Sequence, residues 1–246
     1  MTRTAICNIP VDVLTMQQTL DHIEDAITRR KQIQHVVINA AKVVHAQKDP
    51  GLRNAIVNCD IINADGQSIV WASRFLGKAL PERVAGIDLM EALIALAGKK
   101  RYKIFLLGAK EEVVKKVADI YTAQHGAGII AGYRNGYFKP EEEAQVAAEI
   151  AVSGADMLFV AITSPKKELF LDEYNDVINI PFTMGVGGSF DVVAGLTKRA
   201  PRWMQRIGME WFYRLAQEPR RMWKRYLIGN SAFIYLVLKE KLKFKH

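Results

Sequence analysis

Short apolar runs alternate with amphipathic segments through the first 190 residues of the chain. The runs are five to seven residues long and rich in β-branched and aromatic side chains, which at this length favour strands over helices. The pattern therefore predicts seven strands, at residues 4–9, 34–39, 60–64, 102–108, 127–133, 156–162 and 181–187.

The segments between these runs have the apolar spacing of amphipathic helices. They predict helices at residues 15–31, 88–100, 110–126 and 139–154, and the run "SIVWASRFL" (68–76) predicts another. Strands that alternate with helices in this way form a mostly parallel, Rossmann-like sheet with helices on both faces. The predicted fold class is therefore α/β.

After Gly195 the strand signal ends. The remaining segment is rich in Arg, Lys, Trp and Tyr, and it predicts two or three helices with breaks near Pro201 and Pro219. We therefore divide the chain into an α/β domain at residues 1–195 and a basic, aromatic helical appendage at residues 196–246.

The composition of the 246 residues is that of an ordinary folded protein, because half are hydrophobic and a quarter are charged. Cys7 and Cys59 have no metal-binding spacing and form no disulfide framework, so a reduced, cytosolic setting is the default expectation. The first residues lack the apolar core of a signal peptide. No apolar run reaches the roughly 18 to 20 residues that a bilayer span needs. We therefore expect no membrane-spanning helix.

The positive charge of the chain lies almost entirely in the appendage. The net charge is +8, and the residues from Lys198 onward contribute 13 Lys and Arg against 3 Asp and Glu. The rest of the chain is slightly acidic. A localised cationic segment indicates a phosphate-rich partner, such as lipid headgroups, nucleic acid or a diphosphate.

Polar residues follow several predicted strands, where open parallel sheets bind their ligands. Asn39 follows "HVVI", Asp65 follows "IINA" and Gly108 follows "IFLL". The segment "TSPKKE" (163–168) follows "LFVAI", and "GVGGSFD" (185–191) closes the last strand. Their positions follow from the fold pattern alone, so these residues are only candidates for a binding site.

Asp65 and Arg83 each admit two interpretations. Asp65 precedes Gly66 at the start of a helix, so it is either an N-cap or a catalytic carboxylate. Arg83 either forms a surface salt bridge or clamps a phosphate, because a guanidinium matches phosphate oxygens with two hydrogen bonds.

Two further motifs indicate anion binding. Lys166 and Lys167 lie in the first turn of a predicted helix, where cations oppose the helix dipole and are therefore unfavourable unless an anion binds there. Gly187 and Asp191 belong to "GVGGSFD", which either cradles a phosphate or allows close backbone packing. The chain has no G-x-G-x-x-G fingerprint after its first strand, no Walker A motif and no D-x-D pair, and its five histidines lack ligand spacing. We therefore expect no metal.

The appendage also admits more than one interpretation. Its interleaved cationic and aromatic residues suit an interfacial helix on anionic lipid. The same composition suits single-stranded nucleic acid, and a helical hairpin with snorkelling cations is the simplest explanation.

Taken together, these motifs resemble the WecG/TagA/CpsF family of glycosyltransferases. The resemblance rests on "NADG" (63–66), "ERVAGIDL" (82–89), "SPKKE" (164–168), "GVGGSFD" and a long block from Gly195 to Arg221, and it covers nearly the whole chain. Each short motif is weak alone, but this order and the long last block are specific.

The resemblance implies an inverting, metal-independent transfer of an N-acetylmannosamine-type sugar or its uronic acid. The donor would be a UDP-sugar and the acceptor a polyprenyl-diphosphate-linked sugar, in surface polysaccharide biosynthesis. Asp65 would be the catalytic base. Arg83 would be catalytic by neutralising the charge on the leaving UDP, together with Arg214 and Arg221. The other implied or positional substrate contacts are Asn39, Asn63, Gly66, Gly108, Lys166, Lys167, Gly187 and Asp191.

Such an enzyme needs no cofactor, and it would dock peripherally on the anionic inner face of the cytoplasmic membrane through the appendage. An apolar surface between sheet domains is compatible with a homo-oligomer. One departure from the family pattern is Lys167, where many members have Gln. Two rival hypotheses are a nucleotide-dependent oxidoreductase, which the missing fingerprint disfavours, and a nucleic-acid-binding module, which leaves Asp65 and Arg83 without a role.

Overall fold

A computed structural model describes residues 1–217 and 219–243, and its centre is a parallel β-sheet. The eight strands in this part of the chain are β1 (Arg3–Ile6), β2 (Ile9–Asp12), β3 (Ile33–Ile38), β4 (Ile61–Ala64), β5 (Ile104–Gly108), β6 (Ile130–Arg134), β7 (Met157–Ala161) and β8 (Phe182–Gly185). Six of them form one sheet in the order β4, β3, β8, β7, β5, β6, and every pairing is parallel. The predicted α/β class is confirmed.

Helices cover both faces of this sheet. Those described are α1 (Met16–Thr28), α2 (Ala40–Ala46), α3 (Pro50–Val57), α4 (Gln67–Phe75), α5 (Gly86–Lys100), α6 (Glu111–His125), α7 (Glu143–Ala151), α8 (Lys166–Glu173), α9 (Asn175–Ile178), α10 (Ser189–Val193), α11 (Arg202–Arg206), α12 (Glu210–Gln217) and α13 (Pro219–Lys243). Helices α1, α5, α6 and α10 pack on one face, and α2, α3, α4, α7, α8, α9 and α13 on the other.

The alternation of side chains along each strand explains how one short apolar run serves both faces. Val36 and Ile38 point toward the face that carries α2, whereas Val37 points toward the face that carries α1 and α5. All six residues of β3 are buried. A strand covered on both sides therefore needs no alternation of polar and apolar residues, although β3 also buries the polar Gln34 and His35.

The predicted strand at residues 4–9 is instead the start of a hairpin. Cys7 and Asn8 have φ angles of 51° and 60°, and they form a two-residue turn that pairs β1 with β2 in antiparallel register. Two consecutive positive φ angles are typical of the type I′ turn that joins such strands. The sequence "CN" lacks the glycine that usually marks this turn, so β2 was missed.

Several helix boundaries also differ from the prediction. Helix α5 begins at Gly86 rather than at residue 88, and residues Pro140–Glu142 form a 3₁₀ turn before α7. Residues Ala127–Ile129 form a second 3₁₀ turn before β6, where the pattern predicted strand. The predicted break near Pro201 coincides with the start of α11, whereas the predicted break near Pro219 adjoins residue 218, which lies outside the described residues.

Helix α13 packs on the α/β core through one stripe. Phe233 and Val237, one turn apart, are buried in the cluster that contains residues of the hairpin and α2. Near its end, Glu240 accepts the backbone N–H of Cys7 at 2.5 Å and pairs with Lys78 at 2.6 Å. None of the described helices combines the length and the apolar character that a bilayer span requires.

Candidate active site

A cavity of about 650 Å³ opens at the carboxyl ends of three neighbouring strands. Asn39 follows β3, Asp65 follows β4, and residues 185–189 follow or end β8, and all three segments contribute to its lining. These strands are adjacent in the sheet, so their ends meet although residues 39 and 185 are far apart in sequence. The cavity therefore lies where an open parallel sheet binds ligands.

Asp65 lies in the wall of this cavity between two helix starts. Its backbone N–H donates to Ile38 O at 2.9 Å, which extends the pairing of β3 with β4 by one residue. The N-cap of α4 is Gly66, and no side chain caps that end. The Asp65 carboxylate instead accepts the backbone N–H of Gly86, the first residue of α5, at 3.4 Å. This carboxylate therefore faces the positive end of α5 rather than capping α4.

Arg83 lines the same cavity and is held by a carboxylate from the appendage. Its Nη1 donates to Glu210 Oε2 at 3.2 Å, and the side chains of both residues are about 15% exposed. A partly buried guanidinium at a cavity wall is positioned to exchange such a carboxylate for phosphate oxygens.

Arg199 and Asp88 were not singled out from the sequence, but they extend this cluster. Arg199 donates two hydrogen bonds to the Asp88 carboxylate, at 2.5 and 2.8 Å, and its Nε lies 3.9 Å from Glu210 Oε1. The bonds to Asp88 raise the pKa of Arg199 despite partial burial, and the charges of Glu210 and Asp65 raise it further. The sequence signal was that Asp88 lies in "ERVAGIDL" and Arg199 in the block from Gly195 to Arg221, but a pair separated by 111 residues leaves no local pattern.

Asn39 and Gly66 also line the cavity, at the starts of α2 and α4. Asn39 is the N-cap of α2, and its Oδ1 accepts the backbone N–H of Lys42 at 3.0 Å. A Cβ added at Gly66 would lie 3.4 Å from Asn39 Cβ and 3.2 Å from Ser68 Oγ, tighter than most such contacts. Glycine therefore lets α4 start close to α2. We call the group of Asn39, Asp65, Arg83 and Glu210 the polar pocket.

Asn63 lies outside this cavity, although it belongs to the same motif as Asp65. It is 1% exposed, its Oδ1 accepts the Thr19 hydroxyl at 3.3 Å, and the same oxygen lies 2.9 Å from His35 Nε2. Burial lowers the pKa of His35 to about 4, so the ring is neutral at pH 7. Asn63 thus belongs to the polar interior between β4 and α1.

The remaining candidates are spread around the sheet edge. Gly108, with φ 127°, packs so closely on Ala161 that a Cβ would lie 2.5 Å from its carbonyl. Lys166 donates to Phe138 O at 3.0 Å. Gly187 adopts φ 54° between two residues that line the cavity, and Asp191 lies in α10. The side chains of Arg214 and Arg221 lie outside the part of the chain that the structure describes.

Lys167 lies in a buried ion cluster beside the cavity. Its Nζ is 2.7 Å from Glu168 Oε1, and Lys42 Nζ is 2.8 Å from the same oxygen. Burial alone would raise the pKa of Glu168, but the two ammonium groups lower it to about 2. A Cβ at Gly185, which lines the cavity, would lie 2.9 Å from Lys167 Cδ. The lysine that departs from the family pattern therefore packs directly behind the cavity wall.

The cavity continues away from Asp65 as an apolar channel between two helices. Trp71 and Phe75 of α4 form one side, and Ile234 and Leu238 of α13 form the other. Each pair is spaced four residues apart, which places both members on one helix face. We call these four side chains the apolar groove. The sequence contained this spacing, but not the fact that the two helices face each other.

No group of three or more His, Cys, Asp or Glu side chains that might hold a metal ion occurs among the described residues. Metal independence stays a prediction, to be tested with a chelator.

Comparison with known proteins gives two findings. The profile of the family "Glycosyl transferase WecG/TagA/CpsF" matches residues 4–246. Over 243 residues the chain is 36% identical to a Bacillus subtilis (strain 168) protein, covering 98% of this chain and 93% of the relative. That relative is the N-acetylglucosaminyldiphosphoundecaprenol N-acetyl-beta-D-mannosaminyltransferase.

Proposed function

Because the chain belongs to the WecG/TagA/CpsF family of glycosyltransferases, we propose that it transfers an N-acetylmannosamine-type sugar from a UDP donor to a polyprenyl-diphosphate-linked sugar. The donor class comes from the family resemblance, and the acceptor class from the name of the Bacillus subtilis relative. The product would serve the assembly of a surface polysaccharide. Family membership makes the enzyme a transferase rather than an oxidoreductase or a nucleic-acid-binding module.

The observation that carries this proposal is the position of Asp65 in the polar pocket. Its carboxylate lies in the cavity wall, beside the start of α5 and in the same pocket as Arg83. An acceptor hydroxyl next to Asp65 would lose its proton to the carboxylate as the oxygen attacks the anomeric carbon. The bond from that carbon to the UDP oxygen breaks on the opposite side of the sugar, which inverts the configuration.

The leaving UDP gains negative charge in this step, and a nearby cation lowers its energy. Arg83 lines the cavity, and the Glu210 carboxylate that it contacts holds the guanidinium there. A diphosphate would compete with Glu210 for this guanidinium. Arg214 and Arg221 stay candidates for the same role.

The proposed role of Asp65 is tested by Asp65→Asn, with Asp49→Asn as a matched control. Asp49 is the N-cap of α3, and its Oδ1 accepts the backbone N–H of Leu52 at 3.0 Å, a bond that Asn can also accept. We expect Asp65→Asn to lower kcat by about 100-fold or more, as loss of a general base does, and Asp49→Asn to retain activity. Turnover by Asp65→Asn within a few-fold of wild type would contradict the proposal.

The donor is identified by a thermal-shift screen of UDP, NAD and single-stranded DNA, followed by turnover across UDP-sugars with lipid-linked acceptors. Stabilisation by UDP alone is expected. Stabilisation by NAD or DNA without UDP would argue against the proposed donor.

We further propose that the enzyme reaches its acceptor by docking on the inner face of the cytoplasmic membrane. Large apolar side chains of the last three helices are exposed, among them Trp203 at 62% and Phe212 at 48%. Aromatic side chains next to cations bind the headgroup region of anionic lipid. Co-sedimentation with vesicles of phosphatidylglycerol but not of phosphatidylcholine is expected, and equal recovery with both would contradict the electrostatic part of this proposal.

A further inference from the structure

We infer that the apolar groove binds the first isoprene units of the lipid-linked acceptor. This inference rests on the proposed function, because it assigns the acceptor's hydrocarbon chain to a specific part of the same cavity. The apolar groove is distinct from the proposed membrane-docking surface, because the apolar groove is part of the catalytic cavity.

The side chains of the apolar groove are unusually exposed for residues that face one another. Trp71, Phe75, Ile234 and Leu238 are 51%, 50%, 58% and 48% exposed, although all four line the cavity. Behind them, Ala72, Phe233 and Val237 are buried and also line it. The walls are thus anchored to the core, while their facing surfaces remain open to an apolar ligand.

The apolar groove is continuous with the polar pocket. Helix α4 starts two residues after Asp65, and Trp71 and Phe75 lie one and two turns farther along it. At a rise of 1.5 Å per residue, Phe75 is about 12 Å beyond the start of the helix. A ligand that reaches both ends must therefore carry polar groups at one end and an apolar chain at the other.

The far end of the apolar groove leads to a cationic surface. Leu238 also lines a second depression, together with Tyr235, Leu242, Lys239 and Lys243. Lys241 Nζ lies 5.5 Å from the centre of the Phe75 ring. A chain that leaves the apolar groove at Leu238 would therefore emerge among lysines, which suits the headgroup region of an anionic bilayer.

These observations favour a polyprenyl chain over the other apolar occupants. A second copy of this chain or a partner helix would cover the open face of the apolar groove, but neither would place a reactive hydroxyl at Asp65. In a lipid-linked acceptor a sugar and a diphosphate separate that hydroxyl from the first isoprene. The polar pocket offers Asp65 for the acceptor hydroxyl, and the apolar walls begin one helical turn into α4.

The test measures KM for N-acetylglucosaminyl diphosphate acceptors that carry one to four isoprene units, below their micelle concentrations and without membranes. In wild type we expect KM to fall by about tenfold or more for each added unit until the apolar groove is filled. In Leu238→Gln the ratio of KM between the one-unit and four-unit acceptors should collapse by at least tenfold. Leu227→Gln is the matched control, because Leu227 is an exposed leucine of the same helix outside the cavity, and it should keep the wild-type ratio.

Three results would overturn the inference. The first is a wild-type KM that does not depend on the number of isoprene units. The second is an equal effect of Leu238→Gln and Leu227→Gln on the ratio of KM between the one-unit and four-unit acceptors. A loss of binding to acceptor-free vesicles in Leu238→Gln, with the KM ratio unchanged, would assign this surface to bilayer lipid instead. If wild type transferred no sugar to any of these acceptors, the proposed function itself would fail. Transfer to all of them with equal KM would refute only the inference that the apolar groove binds the isoprene units.

Discussion

The buried cluster of Lys42, Lys167 and Glu168 predicts losses of stability of very different size for two substitutions that each remove one charge. Glu168→Gln leaves two buried ammonium groups without their shared carboxylate. Lys167→Gln leaves Lys42 and Glu168 as a balanced pair at 2.8 Å. Breaking a buried pair so that a charge is left uncompensated costs about 3–5 kcal/mol. The first change should therefore be severe and the second mild.

The size of the first effect also follows from the pKa of Glu168. Folding lowers this pKa from an ordinary value of 4.5 to about 2, which corresponds to about 3 kcal/mol of stabilisation of the charged form. Because the folded-state pKa is depressed, this contribution is present above pH 4.5 and is lost as the pH falls toward 2. At pH 7 we therefore expect Glu168→Gln to lower the free energy of unfolding by about 3 kcal/mol.

Lys167→Gln should change the free energy of unfolding by about 1 kcal/mol or less, because no buried charge is left unpaired and the lost volume is small. Urea denaturation of both variants and wild type, followed by circular dichroism at pH 7, 5 and 3.5, measures these differences. The gap between wild type and Glu168→Gln should be similar at pH 7 and 5 and smaller at pH 3.5. Equal losses in the two variants, or a gap that widens in acid, would refute the charge argument.

Three further predictions test other parts of the structure. Phe233→Ala should lower the free energy of unfolding by about 3 kcal/mol because it empties a buried site between α13 and the core; an unchanged urea midpoint would contradict that packing. Arg83→Ala should lower kcat by about 100-fold in steady-state assays because a charge-stabilising donor is lost, and Arg83→Lys should recover part of it; full activity of Arg83→Ala would remove Arg83 from the mechanism. Turnover should be unchanged by EDTA, and a loss that Mg²⁺ restores would contradict metal independence.

The sequence was most informative where the signal is local. Short apolar runs predicted all six strands of the main sheet to within a few residues, because strands buried on both faces, such as β5 and β7, need no alternation. The same reasoning placed Asn39 and Asp65 at strand ends. The sequence did not reveal that β3 lies between β4 and β8. This strand order places Asn39, Asp65 and Gly185 in the lining of one cavity.

The features that were missed depend on contacts between distant segments. Asn63 and Asp65 are two residues apart in one motif, yet one lies in the polar interior and the other in the polar pocket, because β4 ends between them. Arg199 meets Asp88 only after the appendage folds back on α5. The division of the chain at residue 195 stays a proposal, and truncation there would expose the core surface that Phe233 covers.

The contact between Glu240 and the hairpin has a consequence for the order in which the protein is built. The backbone N–H of Cys7 and its acceptor are separated by 233 residues, so this bond forms only after the intervening residues have been synthesised. Closing so long a loop is slow, because its entropy must be lost before the contact is gained. During translation the hairpin is synthesised first, and its hydrogen bond to Glu240 forms only once α13 has been synthesised. Since α13 also supplies one side of the apolar groove, a nascent chain lacks a complete groove until α13 is in place.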